Sequence, residues 1–355
     1  MTPRRHVGIR DVARAAGVSI TTVSHALNEK GGVSEGTRQR VRAVAEELGY
    51  RPDPRGRQLA SGRTGLVALT VSLPDGVHVL VEEFAHHADL IDAATKTAIA
   101  RGLALVVVPA GDSNIWDRLP LDGTIVVDPL PDDPAVGEMR NRAAPIVTVG
   151  RLPGGGVDTL VVDSDYEGGT VLMLDHLADS GAQRIGMIGA GTGESYEADI
   201  LSAYRRWCAE HDMEPWISIA DDVDWSSPRA WAELETIGRT TAASCLDRED
   251  VPDALFCLAE SFAVGVLTEC ATRGLDVPGD VMVSSMADRG LTGRTQPPLT
   301  ALDLHPRHLG TVAAQTLADL VEGVVIDPDP VTVPVTLVTR ESTARVEGNP
   351  STARS

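Results

Sequence analysis

No stretch of this sequence approaches the roughly 18 uninterrupted apolar residues that a membrane-spanning helix needs. Arg4 and Arg5, near the amino terminus, are followed by no apolar core of an export signal. A cytoplasmic protein, associated with the nucleoid if it binds DNA, is therefore expected, and a solute-binding component of a transporter is not. Cysteine is scarce: Cys208, Cys245, Cys257 and Cys270 show no CxxC spacing and no histidine cluster beside them. Buried free thiols fit that pattern better than ligands, so neither a metal site nor a cofactor is expected. The sequence also lacks a GxSxG elbow, a P-loop and a GxGxxG fingerprint, and Gly189-Ala190-Gly191-Thr192-Gly193 has glycines without the remainder of a dinucleotide motif. Catalysis is not expected. The end of the chain carries no leucine heptad, which argues against a tetramer built on a terminal coiled coil.

What is present is a strong internal asymmetry of charge. The 355 residues exceed what one core usually serves, so more than one domain is expected. The net charge of −20 would repel a polyanion if spread evenly. Residues 1 to 63, however, hold twelve Lys and Arg against six acids, and the remaining residues hold 19 bases against 45 acids. A small cationic head precedes a large acidic body, which places a nucleic-acid contact at one end.

Helical periodicity organises that head. Ile9, Val12, Ala13 and Ala16 share one helix face, and Gly17 can stop the helix in the left-handed conformation. Ser19 can cap a second helix carrying Ile20, Val23, Ala26 and Leu27, which breaks at Asn28 and the Gly31-Gly32 pair. Ser34 opens a third, with Val41, Val44, Ala45 and Leu48, ending at Gly49. Helix, glycine turn, second helix and bracing third helix is the helix-turn-helix plan, in which the second helix enters the major groove.

The run Ile9-Arg10-Asp11-Val12-Ala13-Arg14-Ala15-Ala16-Gly17-Val18-Ser19, then Thr22-Val23-Ser24-His25-Ala26-Leu27-Asn28, then Val33-Ser34, Thr37-Arg38 and Leu48-Gly49-Tyr50, resembles the lactose-repressor/galactose-repressor family. The resemblance implies a dimeric regulator, most simply a repressor, that binds a pseudo-palindromic double-stranded operator. It also implies that Ile20, Thr21 and His25 face base edges while Ser19, Thr22, Ser24, Asn28, Ser34, Thr37 and Tyr50 hold the sugar-phosphate backbone. The division is physically sound, because short hydroxyls and amides fix register on phosphates and longer exposed side chains sample the groove. His25 stands where the family most often has an arginine, and an imidazole makes one bond to guanine where a guanidinium makes two.

Asp53-Pro54 followed by Arg55, Arg57, Leu59 and Gly62 reads as an N-cap, a first-turn proline and barely two helical turns, or as a plain basic linker. The resemblance implies a hinge helix that orders on DNA, with Leu59 wedged between base steps in the minor groove. Asp53 and Gly56 replace the family's usual Asn and Ala, which makes this hinge harder to fold.

From Gly65 onward, apolar runs at Leu66–Val71, Leu103–Val108, Gly123–Val127 and Ile146–Val149 read as buried strands, with a helix over Glu83–Arg101. A second series follows: strands at Thr159–Val162, Ile185–Ile188, Ala254–Cys257 and Val281–Ser285 alternate with helices at Gly169–Ser180, Glu197–His211 and Ala263–Arg273. Two doubly wound α/β halves with a ligand cleft between them are expected. The segments Asp163 through Gly169, Arg273 through Asp280 and Pro297 through Thr300 resemble the family's effector domain, which shares its bilobal, periplasmic-binding-protein-like fold of two parallel sheets.

The expected layout is a DNA-binding head over 1–52, a hinge over 53–63, an effector and dimerisation domain over 64–345 and a disordered tail over 346–355. Within the effector domain the first lobe takes about 64–163 and 290–322, and the second about 164–289 and 323–345. Sugar-binding members place an arginine, an asparagine-aspartate pair and an aspartate where this chain has Ile200, Ala259-Glu260 and Ala287. Hydrocarbon at three of those positions argues against an ordinary sugar, because every hydroxyl stripped of water must be re-paired. The candidate effector residues are Arg151, Asp165, Tyr166, Tyr196, Ile200, Glu260 and Asp288. The alternatives are a less polar effector, a corepressor, or no small ligand.

Overall fold

The computed structural model describes residues 7–27, 32–50, 63–73, 85–109, 113–154, 159–192, 194–220, 223–225, 227, 229–230, 233–288 and 290–345. The chain divides into two units, Met1–Thr64 and Gly65–Ser355. Asn28, Leu59, most of the expected hinge and the expected tail over 346–355 lie outside the described residues.

In the first unit, α1 (Ile9–Ala16), α2 (Ile20–Leu27) and α3 (Glu35–Glu47) enclose a small core of Val12, Ala13, Ala16, Val23, Ala26, Val41 and Ala45. Four alanines, Ala13, Ala16, Ala26 and Ala45, let the backbones approach closely around the three valines. Asp11 closes the start of α1 by accepting from the Gly8 amide at 3.0 Å. Gly17 ends α1 at φ +65°, a conformation glycine adopts without the clash a Cβ brings, and so sets the sharp turn into α2.

The second unit contains two sheets. The first collects β1 (Leu66–Val71), β2 (Ala104–Val107), β3 (Gly123–Val127), β4 (Ile146–Val149), β5 (Leu160–Ser164) and β11 (Val331–Val333), in the spatial order β11-β5-β4-β3-β1-β2 with every pairing parallel. Helices α4 (Ala85–Ala100) and α11 (Pro306–Glu322) cover one face, burying Leu90, Ala94, Leu309, Ala313 and Leu317 against Val67, Leu69, Ile125 and Val147. Trp116 of α5 (Ser113–Arg118) and Val136 and Met139 of α6 (Pro134–Asn141) cover the other, against Ala68, Val126 and Ile146. Residues adjacent along a strand thus enter opposite cores, which is why the strand sequences are apolar throughout rather than alternating.

The second sheet holds β6 (Ile185–Gly189), β7 (Trp216–Ile219), β8 (Ala254–Cys257), β9 (Met282–Ser285), β10 (Thr300–Asp303) and β12 (Thr336–Val338), in the order β12-β10-β9-β8-β6-β7. Its helices are α7 (Tyr166–Asp179) and α8 (Ser195–Glu210) on one face, and α9 (Leu234–Leu246) and α10 (Glu260–Arg273) on the other. Cys208, Cys245, Cys257 and Cys270 are all free and buried, and burial raises the pKa of each thiol.

Two expectations are corrected. The second sheet is not wholly parallel, because β12 runs antiparallel to β10 as a short closing edge. The lobes also exchange chain differently from the expected breaks near 290 and 323. Strand β10 pairs with β9 and so places 300–303 in the second lobe, α11 returns to the first lobe, β11 stays there, and β12 crosses back. Backbone pairing decides this, and the two-residue connections Leu304-His305 and Pro334-Val335 gave no sequence signal of it.

Candidate DNA interface and effector cleft

The face of α2 opposite its buried Val23 and Ala26 carries Ile20 and Thr21, both exposed, and the half-buried Ser24 and His25. Positions 20, 21, 24 and 25 fall on one side of a 3.6-residue helix. Ile20 is 45% exposed, far more than any apolar residue of this head's core, so its place is set by something other than packing within the head. Ser19 caps α2 by accepting from the Thr22 amide at 3.0 Å and pairs with the Thr22 hydroxyl at 2.8 Å. Ser34 repeats the arrangement at α3, where the Thr37 amide donates at 3.4 Å and the two hydroxyls lie 2.9 Å apart. Tyr50 follows α3, its amide donating to the Ala45 carbonyl at 2.8 Å. Two helix N-termini, each rimmed by hydroxyls, provide the positive dipole ends that suit phosphate groups.

In the second unit, the C-terminal ends of β3, β4 and β5 meet the N-termini of α7 and α8, where a ligand cleft belongs in this topology. Asp128, Pro129, Gly150, Arg151 and Asp163 line it from the first lobe, and Tyr166, Glu194, Ser195 and Tyr196 from the second. The cavity at this point is about 10 Å³, room for roughly one water, so the two lobes are nearly closed on each other here. Arg151 reaches across to Asp199 of α8 and forms an ion pair between the lobes. The Tyr166 and Tyr196 rings lie side by side, centroids 5.5 Å apart and tilted by 33°. Asp128 is backed by His87 of α4, whose Nε2 lies 2.8 Å from its Oδ2.

Of the expected effector residues, Arg151, Tyr166 and Tyr196 are brought together at this cleft. Asp165 stands beside it as the N-cap of α7, accepting from the Gly168 amide at 2.8 Å. Three others are occupied elsewhere. Ile200 is fully buried in the second lobe's core with Met173, Tyr204 and Phe256, because it falls on the sheet-facing side of α8. Glu260 is buried and accepts the Leu291 and Thr292 amides at 2.8 and 2.7 Å, anchoring the turn before β10. Asp288 binds Arg340 and the Thr292 hydroxyl; burial opposes its charge, and those two partners overcome the opposition and hold the carboxyl below its usual range. Glu260 and Asp288 therefore act as internal braces.

Asp163 lines the cleft and was missed by sequence reasoning. Its signal was its place at the end of the apolar run Leu160–Val162, where the strand opens into the cleft. Asp163 is 8% exposed, and burial pushes its carboxyl up to about 7, against the pull of the Ser164 amide and Arg151. A folded-state value above the unfolded one means that the native chain binds the extra proton between about pH 4 and 7, so this group favours the unfolded state increasingly as pH rises through that window. Asp163→Asn should therefore stabilise the protein at pH 8 by on the order of a few kcal/mol and leave it nearly unchanged at pH 4, as read by thermal melts at both values.

Among the described residues, no helix is long and apolar enough to cross a membrane. Residues 8–53 match the family model for bacterial regulatory proteins of the lacI family, and residues 174–343 match that for a periplasmic binding protein-like domain. Catabolite control protein A of Priestia megaterium is 27% identical over 349 residues, covering 95% of this chain and 99% of that one. The HTH-type transcriptional repressor PurR of Vibrio campbellii is 26% identical, covering 88% and 92%. Among solved structures, a transcriptional regulator CelR–cellobiose complex superposes with TM-score 0.68 at 25% identity over 95% of this chain and 99% of that one. A lac repressor dimer bound to operator and the anti-inducer ONPF shares the fold at TM-score 0.71 and 23% identity, covering 96% and 100%. With a helix-turn-helix head, a two-lobed α/β domain and full-length relatives of the same plan, the chain belongs to the lacI family of bacterial regulatory proteins and is a DNA-binding transcription regulator.

Proposed function

We propose that this chain is a repressor that binds a pseudo-palindromic operator as a homodimer, acts in the cytoplasm by binding rather than catalysis, and responds to a small effector in the interlobe cleft. The observation that carries this is the exposed face of α2, where Ile20, Thr21 and His25 stand clear of a complete three-helix core. In this reading those three sample base edges, while Ser19, Thr22, Ser24, Asn28, Ser34, Thr37 and Tyr50 hold phosphates and Leu59 enters the minor groove. One head makes too few contacts to find a site among the many competing sequences of a genome, so two are needed.

The effector is not an ordinary sugar. The CelR relative was solved with cellobiose, but here Ile200 lies in the core and Ala287 is buried hydrocarbon, so neither offers a sugar hydroxyl a partner. Selection of duplexes from a random pool, followed by fluorescence anisotropy, tests the DNA reading. A palindromic consensus bound far above random DNA is the expected result, and equal binding of both at moderate salt rejects it. Within that assay, His25→Ala should flatten preference at one base pair in each half-site, costing roughly 1 kcal/mol or about fivefold, with random-DNA affinity unchanged.

A further inference from the structure

The two lobes are closed on each other with little packing to hold them. Beyond the ends of β4 and β5 the gap between them has room for about one water. Yet among the described residues no helix or strand of one lobe packs broadly against one of the other. So thin an interface leaves relative motion of the halves as the default. The backbone is built to allow it. The crossings at 164–165, 304–305 and 334–335 lie side by side: the Asp165 amide donates to the Val333 carbonyl at 2.9 Å, Asp303 pairs with Thr336, and the Thr336 hydroxyl lies 3.2 Å from His305 Nε2. Three short spans bonded laterally bend together about one line, as a hinge does.

Arg151, just past β4, bridges the gap from the first lobe, and its guanidinium pairs with Asp199 of α8 in the second. Asp199 does most to hold the charge on Arg151, and Asp163 of its own lobe and Glu167 of α7 add to it. Asp163 and Asp199 also act on each other as like charges. Once Asp163 is ionised, Arg151 therefore turns a repulsion between the lobes into an attraction. We propose that Arg151 is a built-in latch: with Asp199 it holds the lobes closed before any ligand is present, and a ligand enters the cleft by parting that pair. The latch is a property of the chain alone, and its regulatory consequence rests on the cleft being the effector site. A partly exposed ion pair biases a two-state balance by about fivefold. That is enough to keep a hinge without a packed interface closed, and little enough for a small ligand to overcome.

The test is the distance between spin labels on Pro131→Cys in the first lobe and Ala209→Cys in the second, both exposed positions, in the full chain at pH 8 without ligand. The four native thiols are buried, and dilution with unlabelled chain removes distances between subunits. The native latch should give one dominant short distance, lengthening as salt rises to 1 M. Arg151→Gln should raise the longer-distance population about fivefold and abolish the salt response. Asp199→Asn should open the lobes less, because it removes the repulsion along with the attraction, and Arg151→Asp combined with Asp199→Arg should close them again. Melting checks that each variant is folded, and Asp199→Asn carries the test if Arg151→Gln unfolds. Lobes already open in the native chain, lobes that stay closed in the folded single variants, or a charge exchange that fails to close them overturns the latch. Operator anisotropy on the same variants separates this from the effector reading. Opened lobes with unchanged operator affinity keep the latch and reject the cleft's regulatory role, whereas a changed operator affinity with lobes still closed rejects the latch and leaves that role standing.

Discussion

A chain with alanine at Ile20, Thr21 and His25 together should bind its selected operator no better than random duplex, a loss on the order of 10³-fold or more. The size follows from what those side chains do in the proposed complex: they are the ones on α2 that reach base edges, and specific binding rests on such contacts above a sequence-independent background. The substitution should leave the head folded. Val23 and Ala26 keep the buried face of α2, the Ser19 cap stays, and alanine favours helix at all three positions. The slope of affinity against salt should also persist, because phosphate contacts set it. Anisotropy titrations on operator and random duplexes across a salt series read both quantities. Retained discrimination would move base reading off α2.

A marked loss of stability is expected at two glycines where helices nearly touch. A Cβ on Gly310 of α11 would overlap the backbone carbonyl of Leu90 on α4, and one on Gly265 of α10 would overlap the backbone of Gly238 and Arg239 on α9. Two effects compete when either becomes alanine. Helix propensity favours the change by up to about 1 kcal/mol. The clash is with backbone rather than a flexible side chain, so the helices must move apart and their packed cores reopen, costing about 1–3 kcal/mol or more. The clash wins, and Gly310→Ala and Gly265→Ala should each lower the melting temperature by roughly 5 °C. A raised melting temperature for either variant would show that the interhelical contact yields.

Local periodicity carried much of the fold. The three head helices and the central strands of both lobes are legible because each buries a recognisable apolar set, and Leu66–Val71, Gly123–Val127, Ile146–Val149 and Ala254–Cys257 begin and end where their residues suggest. Less legible were α5, α6, α9 and α11 and the strands β7, β10, β11 and β12. Strands β11 and β12 have three residues each, and no period emerges from three. In α9 and α11, alanine, glycine and threonine fill many of the buried positions, so the apolar stripe is faint although the packing is close.

The effector site divides in the same way. Arg151, Tyr166 and Tyr196 flank strand ends or open helices, and sequence reasoning reaches such positions. Ile200, Glu260 and Asp288 were misplaced because helical phase and long-range partners, Arg340 in one case, decide which way they point. Asp163 was passed over because its character comes from what surrounds it, and no linear pattern reports that a carboxyl is shielded.

The chain passes between the lobes three times, after β5, between β10 and α11, and between β11 and β12. Neither lobe is therefore a continuous piece of polypeptide. A single protease cut in any one connection leaves the halves tethered by the other two, and no simple truncation isolates either half. Exchanging a lobe with that of a relative would require splicing several separate segments at once, so recombination at one point between such genes yields mismatched halves rather than a regulator with a new ligand.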